Sequence, residues 1–90
     1  MARYFFDIHD GRAFLPDPIG QDCVDTDQIR REAMRALPEI ARDAIPQRGA
    51  EAQAFTVIVR DADSAPVYSA TLTFSGLWMS PEAGSGDLEP

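Results

Sequence analysis

Apolar and polar residues alternate in several short runs of this chain, which is the pattern of strands with one buried face. In residues 3–9 an apolar set alternates with a mixed set: Tyr4, Phe6 and Ile8 against Phe5, Asp7 and His9. Asp10-Gly11 follows and is typical of a hairpin turn, so residues 12–15 are predicted to return beside the first strand. Residues 54–60 and 67–74 alternate in the same way around a turn at 61–66. The pattern therefore predicts two hairpins, one near each end of the chain.

Between the hairpins the apolar spacing changes to three and four residues, which predicts a helix. Its apolar stripe consists of Ile29, Ala33, Ala36, Leu37, Ile40, Ala41, Ala44 and Ile45. Asp25 and Gln28 have the spacing of a capping box, and Val24 and Ile29 that of a hydrophobic staple. Pro38 is expected to kink the helix without dividing it, because the stripe keeps its phase across the proline. Pro46 and Gly49 are expected to end it.

The connections add little regular structure. Residues 16–20 contain two prolines and a glycine and are predicted to form a turn or an edge, and residues 21–24 could add a short extended piece. The fold class that follows is α+β, with the order β-β-α-β-β. A four-stranded antiparallel sheet carries one helix on one face. The covered face is predicted to hold Tyr4, Phe6, Ile8, Phe55, Val57, Val59, Ala70, Leu72 and Phe74. The open face is predicted to show Phe5, Asp7, His9, Ile58, Arg60, Ser69, Thr71 and Thr73.

Length and charge narrow the choice of function. A chain of 90 residues forms one domain, predicted over 1–79, and the composition of residues 80–90 is that of a disordered tail.

The net charge is −7, and all eight basic residues are arginines interleaved with acids. Nucleic-acid binding and anionic membranes are disfavoured, because both require clustered basic residues. No run approaches the roughly 20 apolar residues of a membrane span. The N-terminus lacks a signal-peptide core and the single cysteine cannot form an internal disulfide, so a cytoplasmic location is predicted.

The opening Arg3-Tyr4-Phe5-Phe6-Asp7-Ile8-His9-Asp10-Gly11 resembles the start of a family of small alphaproteobacterial proteins known as domain of unknown function 6894. The resemblance continues through Arg30-Arg31-Glu32-Ala33 and the run from Val57 to Asp61 into the strand at 70–74. It covers roughly residues 2–75. Pro38 departs from the ordinary helix former expected at its position. The resemblance implies a bacterial protein with the predicted fold, and it implies no activity.

Three groups of residues are candidates for metal binding or catalysis. Asp7 and His9 point the same way from a strand and could ligate a metal, with Asp22, Asp61 or Asp63 as further ligands. The alternative is that Asp7 pairs with Arg60 or Arg12 and that Asp10 is a turn residue. Cys23 and His9 could form a nucleophilic dyad, against the alternative of a buried structural thiol. Asp17, Gly20, Asp22 and Asp25 weakly resemble a calcium-binding loop. The preferred interpretation is that these acids are solvated residues of a loop.

The prediction that follows is a non-enzymatic, protein-binding or homodimerising module without a cofactor or metal. Its binding residues are predicted on the open face: Phe5, Asp7, His9, Ile58 and Arg60. Strand addition at a sheet edge is a second route. Trp78 is a candidate partner anchor, or else part of a C-terminal clasp over the sheet edge. Two alternatives stay open, an antitoxin-like partner of a toxin and a metal-dependent enzyme that uses Asp7 and His9.

Overall fold

The computed structural model describes residues 2–80 and confirms the α+β class. Its elements follow the predicted order, with one additional short strand before the helix. They are β1 (Ala2–His9), β2 (Phe14–Leu15), β3 (Gln21–Cys23), α1 (Thr26–Arg48), β4 (Ala52–Arg60) and β5 (Pro66–Ser75). The predicted disordered tail, residues 80–90, lies outside the described residues apart from Ser80.

All strand pairs in the sheet are antiparallel, and its order is β2-β1-β4-β5. β3 also pairs with β1, near the start of that strand, where Ala2 lies opposite Cys23. β2 pairs with the other end of β1, where Ile8 lies opposite Leu15. β1 is therefore an inner strand, as its apolar content predicts. β5 is an edge strand, because within residues 2–80 it pairs only with β4.

The helix covers one face of the sheet and closes the core there. Its buried residues recur every four positions, and the fully buried residues of β4 meet them: Ile29, Ala33, Leu37 and Ala41 against Phe55, Val57 and Val59. Tyr4, Phe6, Ile8, Ala70 and Leu72 pack against this cluster as predicted, together with Tyr68. Phe74 shares their face but remains 39% exposed, because it lies opposite Gln53 near the end of the sheet.

The start of the helix follows the predicted signal. The Asp25 carboxylate accepts a hydrogen bond from Gln28 N at 2.9 Å, and the Gln28 side chain in turn accepts from Val24 N at 2.8 Å. These two bonds satisfy backbone donors that have no partner within the helix. The predicted staple is less complete, since Val24 stays 65% exposed while Ile29 is buried.

Pro46 and Gly49 were predicted to end the helix; the helix passes both prolines, so Pro46 is wrong as a stop and Gly49 is confirmed. Pro38 and Pro46 lie on the exposed side, where the carbonyls of Met34 and Arg42 lose their helical partner but can be hydrated. The end comes at Gly49, which adopts a left-handed φ of 69° and donates its N–H to Ile45 O at 3.0 Å. The loop between α1 and β4 therefore comprises only residues 49–51.

Ion pairs on the exposed helix face follow local spacing. Arg31 pairs with Asp27 at 2.9 Å, as its position four residues later predicts. Arg35 contacts Glu32, three residues before it, at 3.2 Å.

Candidate functional site

The acid and the arginine predicted on the open sheet face form a buried ion pair. Asp7 on β1 is 2% exposed, and its Oδ2 accepts from Arg60 Nε at 2.6 Å. A second bond joins Arg60 Nη2 to Asp7 Oδ1 at 3.2 Å, so the guanidinium holds both carboxylate oxygens. The hydrogen bond with Asp7 raises the pKa of Arg60. Of the two interpretations of Asp7, metal ligand or ion-pair partner, the structure shows the ion pair with Arg60.

Residues 16–20, here called the proline loop, dock onto this ion pair. Asp17 N donates to Asp7 Oδ1 at 2.8 Å, and Asp17 O accepts from Arg60 Nη2 at 3.4 Å. The Asp17 carboxylate accepts from Phe6 N at 3.1 Å, and thereby satisfies a β1 donor opposite the gap between β2 and β3. The proline loop thus covers the part of the β1 edge that lies between β2 and β3. The Asp17 side chain supplies the hydrogen bond that a neighbouring strand would supply elsewhere.

The Asp17 carboxylate also organises the loop itself. Burial alone would raise its pKa, but hydrogen bonds from Gly20 N, Phe6 N and Ile19 N outweigh burial and lower the pKa. This carboxylate is therefore part of the architecture. The other acids of the suspected calcium loop have different partners, since Asp22 faces Arg3 at 3.4 Å and Asp25 caps the helix.

Phe5 completes the cluster beneath the proline loop. The Arg60 guanidinium carbon lies 4.8 Å from the centre of the Phe5 ring, within the range of a cation–π contact. Gly20 packs so closely that a Cβ there would lie 2.8 Å from the ring, and its φ is 81°. Glycine is therefore required at position 20 by both contact and backbone conformation.

The structure brings together only part of the predicted binding stripe. Phe5, Asp7 and Arg60 form the cluster under the proline loop, and half-buried Ile58 lies opposite Asp7 on β4. His9 is exposed at the end of β1, and its Nδ1 accepts from Gly11 N at 3.2 Å. The binding role of these five residues stays a prediction, but three of them already hold the chain's own loop.

The suspected dyad of Cys23 and His9 is separated in space. Cys23 lies opposite Ala2, seven residues along β1 from His9, which corresponds to about 23 Å. Burial raises the pKa of the Cys23 thiol, and the charges of Glu32, Asp22 and Asp25 raise it further. No group of three or more His, Cys, Asp or Glu side chains with metal-binding geometry occurs in the part of the chain that the structure describes.

A comparison with protein families gives one match. The family described as "Domain of unknown function (DUF6894)" matches residues 3–73. The chain belongs to this family. The match confirms the resemblance carried by the opening strand, the helix and the last hairpin. Searches of curated proteins and of solved structures give no match.

In this DUF6894 domain a second cluster ties the helix end to the first hairpin. Arg48 Nη2 bonds Asp10 Oδ2 at 2.8 Å, and Arg48 Nη1 bonds Asp10 O at 2.6 Å. Backbone hydrogen bonds from Ala13 and Arg12, and then Arg48, lower the pKa of Asp10 to about 2. Sequence reasoning identified Asp10 as a turn residue but missed Arg48, because 38 residues separate the two positions.

The feature of this DUF6894 domain that sequence reasoning undervalued is its other sheet edge. Residues 64–80 contain no charged residue, although 26% of the chain is charged. This run contains the whole of β5 and the exposed segment after it, where Leu77 is 85%, Trp78 49% and Met79 88% exposed. The signal was visible in the sequence as a gap in the charge pattern.

An apolar groove of about 240 Å³ runs beside β5 on the helix side of this DUF6894 domain. It is lined by residues of α1 and β5: Met34, Leu37, Pro38, Tyr68, Ala70, Thr71 and Leu72. Met34 is 54% exposed at its rim. No helix within residues 2–80 is long and apolar enough to cross a membrane.

Proposed function

We propose that this chain is a non-enzymatic protein-binding module of the cytoplasm that engages its partner by strand addition at β5. The observation that carries the proposal is a ten-residue, charge-free edge strand with no second neighbour among the described residues. Such a strand presents a row of unpaired backbone N–H and C=O groups that another strand can pair.

The composition of the β5 edge supports this role. Proteins usually protect an edge strand with charges, prolines or bulges. In β5 these devices occur only at the start, where Pro66 begins the strand and the register shifts between Val59 and Arg60 of β4. From Tyr68 to Ser75 the edge carries none of them.

The polar groups elsewhere favour binding over catalysis. Asp7, Asp17 and Arg60 are bonded to one another, and Asp10 is bonded to Arg48. Groups held in such bonds stabilise the fold. The proposal therefore assigns the partner to the β5 edge and assigns a structural role to the cluster under the proline loop.

Site-specific photo-crosslinking in the native cells tests the proposal. A benzoylphenylalanine at Thr73, exposed on β5, is expected to give a discrete protein adduct. The same group at Ile19 on the opposite edge, or at Arg42 on the exposed side of the helix, serves as a control and is expected to give none. Absence of an adduct from position 73, or equal adducts from all three positions, contradicts the proposal.

A further inference from the structure

The β5 edge is the part of this acidic chain that a second copy can approach at low electrostatic cost. Two copies that each carry a charge of −7 repel one another wherever their acids meet. Residues 64–80 place no charge in such a contact. Resting on the function proposed above, we propose that the partner is a second copy of this chain, with β5 paired antiparallel to β5 about a two-fold axis.

The symmetry of such a pair matches the two faces of β5. An antiparallel strand pair related by a two-fold axis perpendicular to the sheet keeps each face on its own side. Apolar residues of β5 therefore meet apolar residues, and hydroxyl residues meet hydroxyl residues. The two sheets join into one continuous sheet, and both helices lie on the same face of it.

The register follows from the ends of the strand. Residues directly opposite each other in an antiparallel ladder have their side chains on the same face of the sheet. The two-fold axis must therefore lie between the two copies of one residue, and not level with the bond between two successive residues. Centring on Thr71 pairs Tyr68–Phe74 with itself over seven residues, about 23 Å, and leaves Pro66 and the register shift at Val67 outside the ladder. Centring on Ala70 would bring Pro66 into the ladder, where its missing N–H removes a bond. Thr71 is therefore the centre that includes both Tyr68 and Phe74 and excludes the proline and the register shift.

This register produces favourable opposite pairs on both faces. On the helix side, Tyr68 lies opposite Phe74 of the second copy, and Ala70 lies opposite Leu72. Aromatic and small–large pairs of this kind stabilise antiparallel ladders. On the open side, Ser69 lies opposite Thr73 of the second copy, and the two Thr71 residues meet at the axis.

The surface around β5 supplies apolar area for a stable dimer. Such interfaces bury about 800 Å² on each partner. The large apolar side chains on or near this edge have exposed fractions from 39% to 88%: Met34, Val67, Phe74, Leu77, Trp78 and Met79. A second sheet placed beside β5 extends over the 240 Å³ groove between the strand and the helix, and covers its rim.

A charge-swap experiment at the opposite pair tests the dimer and its register. The variant S69K/T73K places lysines opposite lysines, and S69E/T73E places glutamates opposite glutamates. Both positions are exposed, so the fold is expected to persist, as circular dichroism and thermal melting verify. Sedimentation equilibrium is expected to show a dimer for the unmodified chain. Each variant alone is expected to have its dimer dissociation constant raised about tenfold or more. An equimolar mixture of the two is expected to recover the dimer.

The control E39Q/D43N raises the net charge by two, as the lysine variant does, but at exposed helix positions. It is expected to remain dimeric. A strict monomer of the unmodified chain at several hundred micromolar overturns the second-copy proposal, and so does a lysine variant that dimerises as well as the unmodified chain. If the chain is monomeric while position 73 crosslinks a different protein in cells, strand addition stands and only the identity of the partner is wrong. No crosslink at position 73 overturns both.

Discussion

Along one edge of the sheet the chain from Phe14 to Cys23 follows β1 in two short strands with the proline loop between them. Along the other edge β5 runs for ten residues and, within residues 2–80, pairs with β4 alone. The first edge combines several protective devices of edge strands: short length, prolines and a side chain that satisfies a backbone donor. The second carries almost none of them. The same chain therefore closes one edge and leaves the other suited to pairing.

The two edges of the sheet also differ in their charged residues. Asp7, Asp17 and Arg60 form the anchor that holds the proline loop against β1. β5 has no comparable group, and its open face carries the hydroxyls of Ser69, Thr71 and Thr73. Thr71 bonds Thr56 across the strands at 2.9 Å, so this face is ordered without charge. This uncharged edge in a charged protein is the observation from which we propose a contact at β5.

The largest effect is expected from removing the anchor of the closed edge. Arg60→Met leaves the Asp7 carboxylate buried without its cation, and a buried charge that loses its partner destabilises a protein by about 3 kcal/mol or more. Urea denaturation of S69K/T73K with and without Arg60→Met measures the change in the free energy of unfolding. The S69K/T73K background is used because it is expected to weaken dimerisation, and a low protein concentration reduces its contribution further.

The matched control is Asp22→Asn. Asp22 pairs with Arg3 at 3.4 Å on the same edge, but both side chains are about half exposed, at 49% and 45%. Exposed pairs contribute about 0–1 kcal/mol, so this variant is expected to unfold almost like its parent. Equal losses for the two variants would show that the buried pair has no special part in closing the edge.

A smaller effect is expected at the contact between the proline loop and Phe5. Gly20→Ala and Gly49→Ala both place an alanine at positive φ, where the backbone conformation costs about 1–2 kcal/mol. Of the two, Gly20 adds a steric conflict, with the Phe5 ring 2.8 Å from the new Cβ, whereas no atom of the described part of the chain lies within 4 Å of a Cβ at Gly49. Gly20→Ala is therefore expected to destabilise the domain by about 1 kcal/mol more than Gly49→Ala, because overpacking adds to the strain.

Thermal unfolding of both glycine variants in the same background measures this difference. Amide exchange at Phe6, whose N–H bonds Asp17, reports whether the loss is local to the closed edge. Faster exchange at Phe6 in Gly20→Ala but not in Gly49→Ala is the expected result. An identical loss of stability in the two variants would mean that the proline loop moves away from Phe5 without a penalty.

Much of this fold could be predicted because its signals are local. The alternation in β1, β4 and β5, the capping residues Asp25 and Gln28, and the helical stripe each act over a few residues, and the structure confirms them. The stop at Pro46 was wrong because a proline on the solvent side loses only a hydrated bond. Helix length there is decided by the Gly49 cap and by Arg48, which reaches Asp10.

The candidate site was harder to predict because its determinants are not local. The sequence placed Phe5, Asp7 and Arg60 on one face, but an open face and one covered by the proline loop have the same alternation. The covering depends on Gly20 fitting against Phe5 and on Asp17 bonding Phe6, and both contacts cross the gap between β2 and β3. The missing charges of residues 64–80 could have been read from the sequence, whereas the position of β5 at an edge could not.

The smallest expected effect concerns the acid dependence of stability at the hairpin that begins the closed edge. The folded-state pKa of Asp10 is lowered from 3.8 to about 2, so its charged form contributes stability that is fully present above pH 4. This contribution is lost progressively as the pH falls from about 4 to about 2. Asp10→Asn keeps an oxygen acceptor for the turn but removes the titration. Its stability is therefore expected to fall less steeply than that of the unmodified chain over this interval.

Denaturation midpoints measured from pH 2 to pH 6 test this expectation, and Arg48→Met identifies the cause. Backbone N–H groups of Ala13 and Arg12 contribute most to the lowered pKa of Asp10, and Arg48 contributes less. Arg48→Met is therefore expected to lower stability at every pH while it keeps most of the acid slope. If Arg48→Met removes the slope as completely as Asp10→Asn does, the arginine and not the turn holds Asp10 charged. The closed edge would then depend on the end of the helix as strongly as on its own loop.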